Sequence, residues 1–365
     1  MATHQINSEQ QIYLKIAEFL REGKKFALAV VMKDAGSTPR KAGTKAIIDE
    51  EGSIWGTIGG GLLESDARKE AMVAIRTGQA HIFDFKFSGT SAVEDKPVCG
   101  GNMRVLIDPS SVRLFKEKYM EVAEAVTDRR RGVLVRYLYL DIEHAVREVM
   151  VSFFRTEFPP GNRLEASAVR RALSDEEAQS FFLETNRIEG LAEPIVPTRR
   201  LLIGGGGHVG QALARAAQLV GFEVVVIDDR EEFSDPSLFG EGIQCRRRPF
   251  REALFEFPID QDTYIALVGR GHIVDSKALL SCLNSPAAYI GMMGSRRKVA
   301  LVKKEFIEGM LIDEEGWKKI HAPIGLDIGA ETVSEIAASI VAQLISVRRK
   351  SIQKNGQDAR CTEDK

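Results

Sequence analysis

Residues 199–230 read RRLLIGGGGHVGQALARAAQLVGFEVVVIDDR. A short apolar run, Leu201 to Ile203, meets four glycines. A helical pattern follows, then a second apolar run, Val224 to Ile227, that ends in Asp228 and Asp229. Strand, glycine turn, helix, strand and terminal acid, in that order, predict a βαβ unit of the dinucleotide-binding, Rossmann type. Gly205, Gly207 and Gly210 carry the GxGxxG spacing. The first glycine permits a tight turn, the second lets backbone N–H groups approach a phosphate, and the third lets helix and strand pack closely. His208 opens the helix, whose N-terminal amides and positive dipole end would face the phosphate. Asp228 stands where a carboxylate accepts hydrogen bonds from ribose hydroxyls, and Asp229 is a second candidate. Such a crevice can hold NAD(P), another ligand or none, because fold is not function.

The chain around this unit has 365 residues, enough for two domains that each bury a core. A formal charge of −2 gives no electrostatic footprint for nucleic acid. The clusters Arg129–Arg131, Arg246–Arg248 and Arg348–Lys350 read as solvated surface. No apolar run approaches the roughly 20 residues that span a bilayer, and the N-terminus lacks a basic segment followed by an apolar signal core. A cytoplasmic protein with no membrane partner is therefore expected. Cys99, Cys245, Cys282 and Cys361 are scattered without a CxxC pair, which in a reducing compartment means free thiols.

Residues 8–22 have helical periodicity, and a strand follows from Phe26 to Met32. A polar loop, DAGSTPRKAG, leads to a hairpin of Lys45–Asp49 and Ile54–Thr57. Gly59-Gly60-Gly61 opens a helix to about Arg76, and strands near 80–87 and 103–107 flank a loop holding Val98-Cys99-Gly100-Gly101. Residues 110–190 alternate helix and strand with few readable motifs. Two prolines in Glu193-Pro-Ile-Val-Pro197 interrupt pairing and helix formation alike, so 193–198 is expected to be a linker. That leaves 1–192 as one domain and 199–350 as another, closed by a helix from about Glu331 to Arg348. The polar residues 351–365 are expected to form a disordered tail.

Several segments carry candidate binding groups. Gly59-Gly60-Gly61 and Cys99-Gly100-Gly101 can each present backbone amides to an anion or a flat polar ring, or can simply permit tight turns. Glu64, one turn into the first of these helices, can accept hydrogen bonds from a heterocycle. Ser37, Thr38 and Arg40 form a polar loop after a buried strand, a usual position for a binding loop. Cys99, flanked by glycines, is either a soft metal ligand or an inert thiol in a turn. In the second half, Val268-Gly269-Arg270-Gly271-His272 follows a strand at the edge where open α/β sheets place ligands. Gly294-Ser295-Arg296-Arg297-Lys298 is a glycine turn with three cations, suited to phosphate. His321, Asp327 and Glu331 share one glycine-containing loop, in which Thr332 can cap the last helix. No acid–base pair or activated nucleophile is evident; only His272, His321 and Lys277 offer a general acid, which leans away from turnover chemistry.

Together the segments AGSTPRKAGTK at 35–45, GTIGGGLLES at 56–65, VCGG at 98–101, LLIGGGGHVGQALA, VVVIDDR, YIGMMGSRRK and HAPIGLDIGAET resemble the accessory factors of xanthine dehydrogenase and carbon monoxide dehydrogenase maturation, the XdhC/CoxI type. The resemblance spans most of residues 30–345. It implies an α/β protein, with an N-terminal α/β accessory domain followed by a C-terminal Rossmann-like parallel-sheet domain. It also implies a chaperone that binds molybdenum cofactor, protects it during sulfuration by a cysteine desulfurase, and hands it to a xanthine dehydrogenase-type molybdenum hydroxylase. Leu62 departs from the pattern, because relatives often carry cysteine after the three glycines; a two-thiol site with Cys99 is not expected. Molybdopterin has a terminal phosphate, a polar pterin edge and a dithiolene-bound metal. The phosphate would meet Gly205–Gly207 or Ser295-Arg296-Arg297, Gly59–Gly61 with Glu64 and Gly100 would meet the pterin, and Cys99 would approach the metal.

Two other functions fit the same residues. An NAD(P)-dependent oxidoreductase would use the fingerprint and Asp228, and a non-catalytic nucleotide-binding scaffold would use the fingerprint alone. A homodimer is a common state of soluble proteins, although no residue here argues for it.

Overall fold

The computed structural model describes residues 3–4, 9–87, 101–155, 163–184, 187–269 and 272–363. Residues 1–197, with 354–365, and residues 198–353 form two compact units.

In the first unit, β1 (Thr3–His4), β2 (Phe26–Ala35), β3 (Lys45–Asp49), β4 (Ile54–Gly56), β5 (His81–Phe87) and β6 (Gly101–Asp108) form one sheet in the order β1-β4-β3-β2-β6-β5. The helices α1 (Glu9–Glu22) and α2 (Gly61–Thr77) belong to the same stretch of chain. β2 is buried on both faces from Phe26 to Met32, its alternate residues entering two separate cores. On one side Ala27, Ala29 and Val31 meet Leu63, Ala67, Ala71 and Ala74 of α2. The small residues along α2 recur at helical spacing and let it lie close to the sheet. Next come α3 (Ser111–Leu114), α4 (Lys116–Thr127), β7 (Gly132–Leu140), β8 (Val146–Phe154), α5 (Arg163–Asp175), β9 (Gln179–Leu183) and β10 (Ile188–Ile195). Their strands form an antiparallel sheet in the order β8-β7-β10-β9.

A buried charge cluster links these two sheets. Glu193 of β10 accepts from Lys45 Nζ of β3 (2.9 Å) and from Arg136 Nη2 of β7 (3.1 Å), and all three side chains are buried. Tyr13 of α1 donates to Glu193 Oε1 at 3.3 Å, and Arg136 Nη1 donates to Tyr119 of α4 at 2.8 Å. Burial alone would raise the Glu193 pKa, but Lys45 and Arg136 hold it below the usual carboxylate range.

The units divide between residues 197 and 198, within the stretch expected to be a linker, but the first part of that stretch is strand. Residues 193–195 are strand, paired with Leu134, Val133 and Gly132 of β7. β9 pairs with β10 only as far as Ala192, so Pro194 has a neighbouring strand on one side alone, where a proline is tolerated as on a sheet edge.

The second unit is the expected Rossmann domain. β11 (Arg200–Gly204), α6 (His208–Leu219), β12 (Glu223–Asp228), β13 (Gln244–Arg247), α7 (Phe250–Ala253), β14 (Thr263–Leu267), α8 (His272–Cys282), β15 (Tyr289–Met292), α9 (Arg296–Glu308), α10 (Glu314–Trp317), β16 (Ile320–His321) and α11 (Val333–Glu363) follow in sequence. The sheet is parallel, in the order β13-β12-β11-β14-β15-β16. Chain order therefore reverses between β11 and β14, the switch point where such sheets bind ligands. Leu201 and Ile203 pack with Leu213, Ala214 and Ala217 of α6 on one face, while Leu202 packs with Leu279 of α8 and Val302 of α9 on the other. Both faces are covered, which explains why the strands read as continuous apolar runs. α11 runs on to Glu363, through the stretch expected to be a disordered tail. That stretch is polar but has no proline, and its Gln, Lys, Ala and Arg residues favour helix.

The substitution E193Q removes the charge that pairs two buried cations, so it should destabilise the protein by about 3–5 kcal/mol in urea unfolding. Because the folded pKa of Glu193 lies below its unfolded value, its contribution is present above the ordinary carboxylate range and is lost as pH falls through the folded value. The variant should therefore lose less stability on acidification than the parent does.

Candidate functional site

In the first unit, three segments that are distant in sequence meet at one edge. The loop after β2 is organised by Asp34, which accepts from Ala42 N at 2.8 Å and from Lys41 Nζ at 2.9 Å. Ser37 and Arg40 are exposed at its tip. A Cβ on Gly101, the first residue of β6, would lie 2.3 Å from the Ser37 carbonyl oxygen, so only glycine lets β6 start against this loop. A Cβ on Gly59 would meet Pro39 at 3.0 Å. The Ser37–Arg40 loop thus touches both glycine segments singled out from the sequence. Cys99 and Gly100 lie outside the described residues; of that segment only Gly101 is described.

The Gly59–Gly61 turn has φ values of +141°, +77° and +58°. Gly59 packs against its neighbours, but a Cβ on Gly60 or Gly61 would meet nothing within 4 Å. Their backbone faces open space at the start of α2, where no side chain caps Gly60. Glu64 does first what sequence reading did not anticipate. Its Oε1 accepts from the Thr57 hydroxyl at 2.6 Å and from Gly60 N at 3.1 Å, fixing the turn from within. Its Oε2 has no hydrogen-bond partner among the described residues and remains the atom that can face a heterocycle.

In the second unit, Gly205 N donates to Ile227 O at 2.9 Å, which ties the fingerprint turn to β12. A Cβ on Gly205 would lie 2.8 Å from the Gly269 backbone, and one on Gly210 would lie 2.0 Å from Gly205 O. Gly207, the N-cap of α6, is open. Asp228 accepts from Gly206 N at 2.8 Å and from the Arg230 guanidinium at 2.8 and 2.9 Å. Burial pushes its pKa up, but the Arg230 side chain and the two backbone N–H groups outweigh that and keep it low. The expected free acceptor for a ribose diol is therefore already engaged.

Ser295 caps α9, its Oγ accepting from Lys298 N at 3.2 Å, which leaves Arg296 and Arg297 exposed at the helix start. Arg296 reaches Asp327 at 3.3 Å, joining two of the candidate segments in a solvent-exposed pair. Lys298 turns inward to an ion pair with Asp275 of α8 and donates to Met293 O at 3.2 Å. No local sequence signal marks this pair, because the residues are on different helices. Of His272 only the backbone is described, as the first residue of α8. His321 stacks on Tyr289, with ring centroids 4.5 Å apart and an interplanar angle of 18°. Burial, followed by the Lys350 ammonium, lowers its pKa. Thr332 and Glu335 form a capping box at the start of α11: Thr332 Oγ1 accepts from Glu335 N, and Glu335 Oε2 accepts from Thr332 N. Among the described residues, no group of three His, Cys, Asp or Glu side chains has the placement to hold a metal ion, and no helix is long and apolar enough to cross a membrane.

Comparison with known proteins adds two family matches: the XdhC and CoxI family at residues 19–86, and the XdhC Rossmann domain at residues 201–344. YqeB of Escherichia coli, described as uncharacterised, is 24% identical over 341 residues, which cover 93% of this chain and 47% of that protein. The chain thus spans about half the length of that relative. A Bacillus subtilis protein described as a probable subunit of xanthine dehydrogenase is 26% identical over 342 residues, 91% of this chain and 96% of that one. The molybdenum cofactor insertion chaperone PaoD of Escherichia coli is 22% identical over 358 residues, 94% and 90% of the two chains. A solved structure described as a xanthine dehydrogenase from Bacillus halodurans shares the fold, with a TM-score of 0.68 at 23% identity over 94% of this chain and 96% of that one.

The tight and open glycines should respond differently to substitution. Gly101→Ala must displace the Ser37 backbone and should cost about 3 kcal/mol in thermal or urea unfolding, at the upper end of overpacking effects. Gly78→Ala, at the left-handed C-cap of α2 (φ +73°, ψ +8°) with nothing within 4 Å of its Cβ position, meets only the left-handed backbone penalty and should cost about 1 kcal/mol. For His321, an NMR titration of the folded protein should give a midpoint below the ordinary imidazole value of about 6.5. The unfolded chain then takes up this proton first, so the His321 contribution is present above that pH and is lost as pH falls through it.

Proposed function

We propose, for a chain that belongs to the XdhC and CoxI family, a role as a carrier of molybdenum cofactor in the maturation of a xanthine dehydrogenase-type molybdenum hydroxylase. The chain holds and protects the cofactor, supports its sulfuration by a cysteine desulfurase, and passes it to the apo-hydroxylase in the cytoplasm. The observation that carries this reading is the meeting of the Ser37–Arg40 loop, the open Gly59–Gly61 turn and the start of β6 at one edge of the first unit. Support also comes from the relatives described as a molybdenum cofactor insertion chaperone and as part of a xanthine dehydrogenase.

The residues fit the cofactor's chemistry. The first N–H groups of a helix have no intrahelical partner, and those of α2 follow a glycine turn where a Cβ on Gly60 or Gly61 would meet nothing within 4 Å. They donate to the polar edge of a pterin, and Glu64 Oε2 accepts from a ring N–H. Ser37 and Arg40 border the same turn, and Cys99 and Gly100 directly precede Gly101 in sequence. Cys99 is the soft thiolate that suits a sulfur-bound metal. When bound, the cofactor brings the redox metal that the client enzyme needs. In the second unit, taken by itself, Arg296 and Arg297 are exposed at the Ser295-capped start of α9, a cationic helix start suited to a phosphate group, and Gly294 precedes that cap.

Expression in hosts able and unable to make the cofactor, followed by assay of molybdenum and oxidised fluorescent pterin, tests the reading. Near-stoichiometric pterin from the competent host alone is expected. Cys99→Ala should lower retained molybdenum, and replacing Arg296 and Arg297 together by alanine should weaken pterin retention. Folded protein without pterin from the competent host would remove the carrier role, and retention unchanged in the arginine variant would remove the phosphate assignment. A second reading, an NAD(P)-dependent oxidoreductase, is favoured by the fingerprint turn at Gly205–Gly210. Consumption of NADH with a carbonyl substrate would support it.

A further inference from the structure

We propose that Arg230 sets the ligand selectivity of the Rossmann crevice by closing its ribose subsite, so that the parent protein disfavours NAD+. The crevice lies in the second unit, and its selectivity is independent of what the first unit carries.

The subsite is placed by topology. Asp228 ends β12, directly beside the glycine turn that ends β11, at the carboxyl edge of a parallel sheet. In this fold the acid at that position binds a ribose diol by accepting from both hydroxyls, which requires free lone pairs on its carboxylate. Asp228 has none to spare. Oδ1 accepts from Arg230 N at 3.0 Å and from Arg230 Nε at 2.9 Å. Oδ2 accepts from Gly206 N at 2.8 Å and from Arg230 Nη2 at 2.8 Å. Four donors fill the roughly four acceptor positions of a carboxylate.

Arg230 is held in this pose from its other side as well. Its guanidinium lies 4.1 Å from the centroid of the Phe233 ring, and the Asp228 carboxylate is 3% exposed while the Arg230 side chain is 36% exposed. A planar fork with two parallel bonds, backed by an aromatic ring, is pre-organised. A ribose diol must displace it before reaching Asp228. The surrounding charge sharpens the test. Asp229, Glu231 and Glu232 lie close by in sequence, and Arg247, the register partner of Asp228 on β13, is paired with Glu231 at 2.9 Å. With Arg230 removed, the freed Asp228 and these carboxylates favour a diol and disfavour a 2′-phosphate.

Calorimetric titration of the full chain with NAD+ and NADP+ tests this, comparing the parent, Arg230→Ala and Arg230→Lys, with circular dichroism as the check of folding. Expected are weak NAD+ binding by the parent, at least tenfold tighter NAD+ binding by Arg230→Ala, a smaller gain for Arg230→Lys, and no matching gain for NADP+. Tight NAD+ binding by the parent would overturn the proposal. So would an alanine variant that folds but gains no NAD+ affinity, or one that gains equally for both nucleotides. Should the alanine variant not fold, the lysine variant decides: an NAD+-selective gain supports closure by the arginine fork, and its absence overturns it.

Discussion

The buried carboxylate of Glu193 is the constraint on which the first unit depends. Its partners come from different sheets, with Lys45 on β3 and Arg136 on β7, and the phenols of Tyr13 and Tyr119 complete the cluster from two helices. Such a cluster adds little net stability over a well-packed apolar core, because desolvating the charges offsets much of their attraction. It is far more demanding of geometry. Two buried cations around one carboxylate tolerate no sliding of one sheet against the other, since any shift strands a charge without its partner. Lys45 also ends the polar loop that begins after β2. The far end of the candidate binding loop is therefore tied to a buried ionic contact, while its near end is set by Asp34.

The glycines of the second unit show how one spacing pattern combines separate physical requirements. Gly210 is needed because the helix approaches the Gly205 carbonyl too closely for a side chain, and Gly205 because it abuts the Gly269 backbone. Gly206, outside the fingerprint spacing, is equally restricted: a Cβ there would lie 1.9 Å from Phe233 O. Within the fingerprint turn, Gly207 has open space around it. Packing accounts for Gly205, Gly206 and Gly210, while Gly207 serves as the N-cap of α6, a position that favours a small residue.

The same division separates what was readable in the sequence from what was not. Period and punctuation revealed the βαβ unit, the hairpin at 45–57, the start of α2 and the cap at Thr332, because each depends on neighbours a few residues apart. The strand runs on through Pro194 because the cost of a proline depends on whether a partner strand lies alongside, which is a property of the sheet. Glu64 and Asp228 were read from the sequence as carboxylates free to accept from a ligand beside glycine turns. Sequence identifies such a group but not how many of its lone pairs are already taken, and both carboxylates are engaged by their own turns. Lys298 with Asp275 and Glu193 with its cations had no local signal at all, since their partners are brought together only by tertiary packing.

The Gly59–Gly61 turn stands out for a reason that no single motif supplies. Three consecutive residues with positive φ are available only to glycine without strain, and glycine loses the most backbone freedom on folding. Packing explains Gly59, which lies against Pro39 and Leu63. It does not explain Gly60 and Gly61, around which there is room for side chains. Their turn opens α2 beside a loop in which Ser37, Arg40 and Lys41 are exposed. Three segments separated by tens of residues would not be held together here by chain connectivity alone. Close contacts at Gly101 and Gly59 hold them, so the fold maintains an open, donor-rich edge by the same steric precision that closes its core.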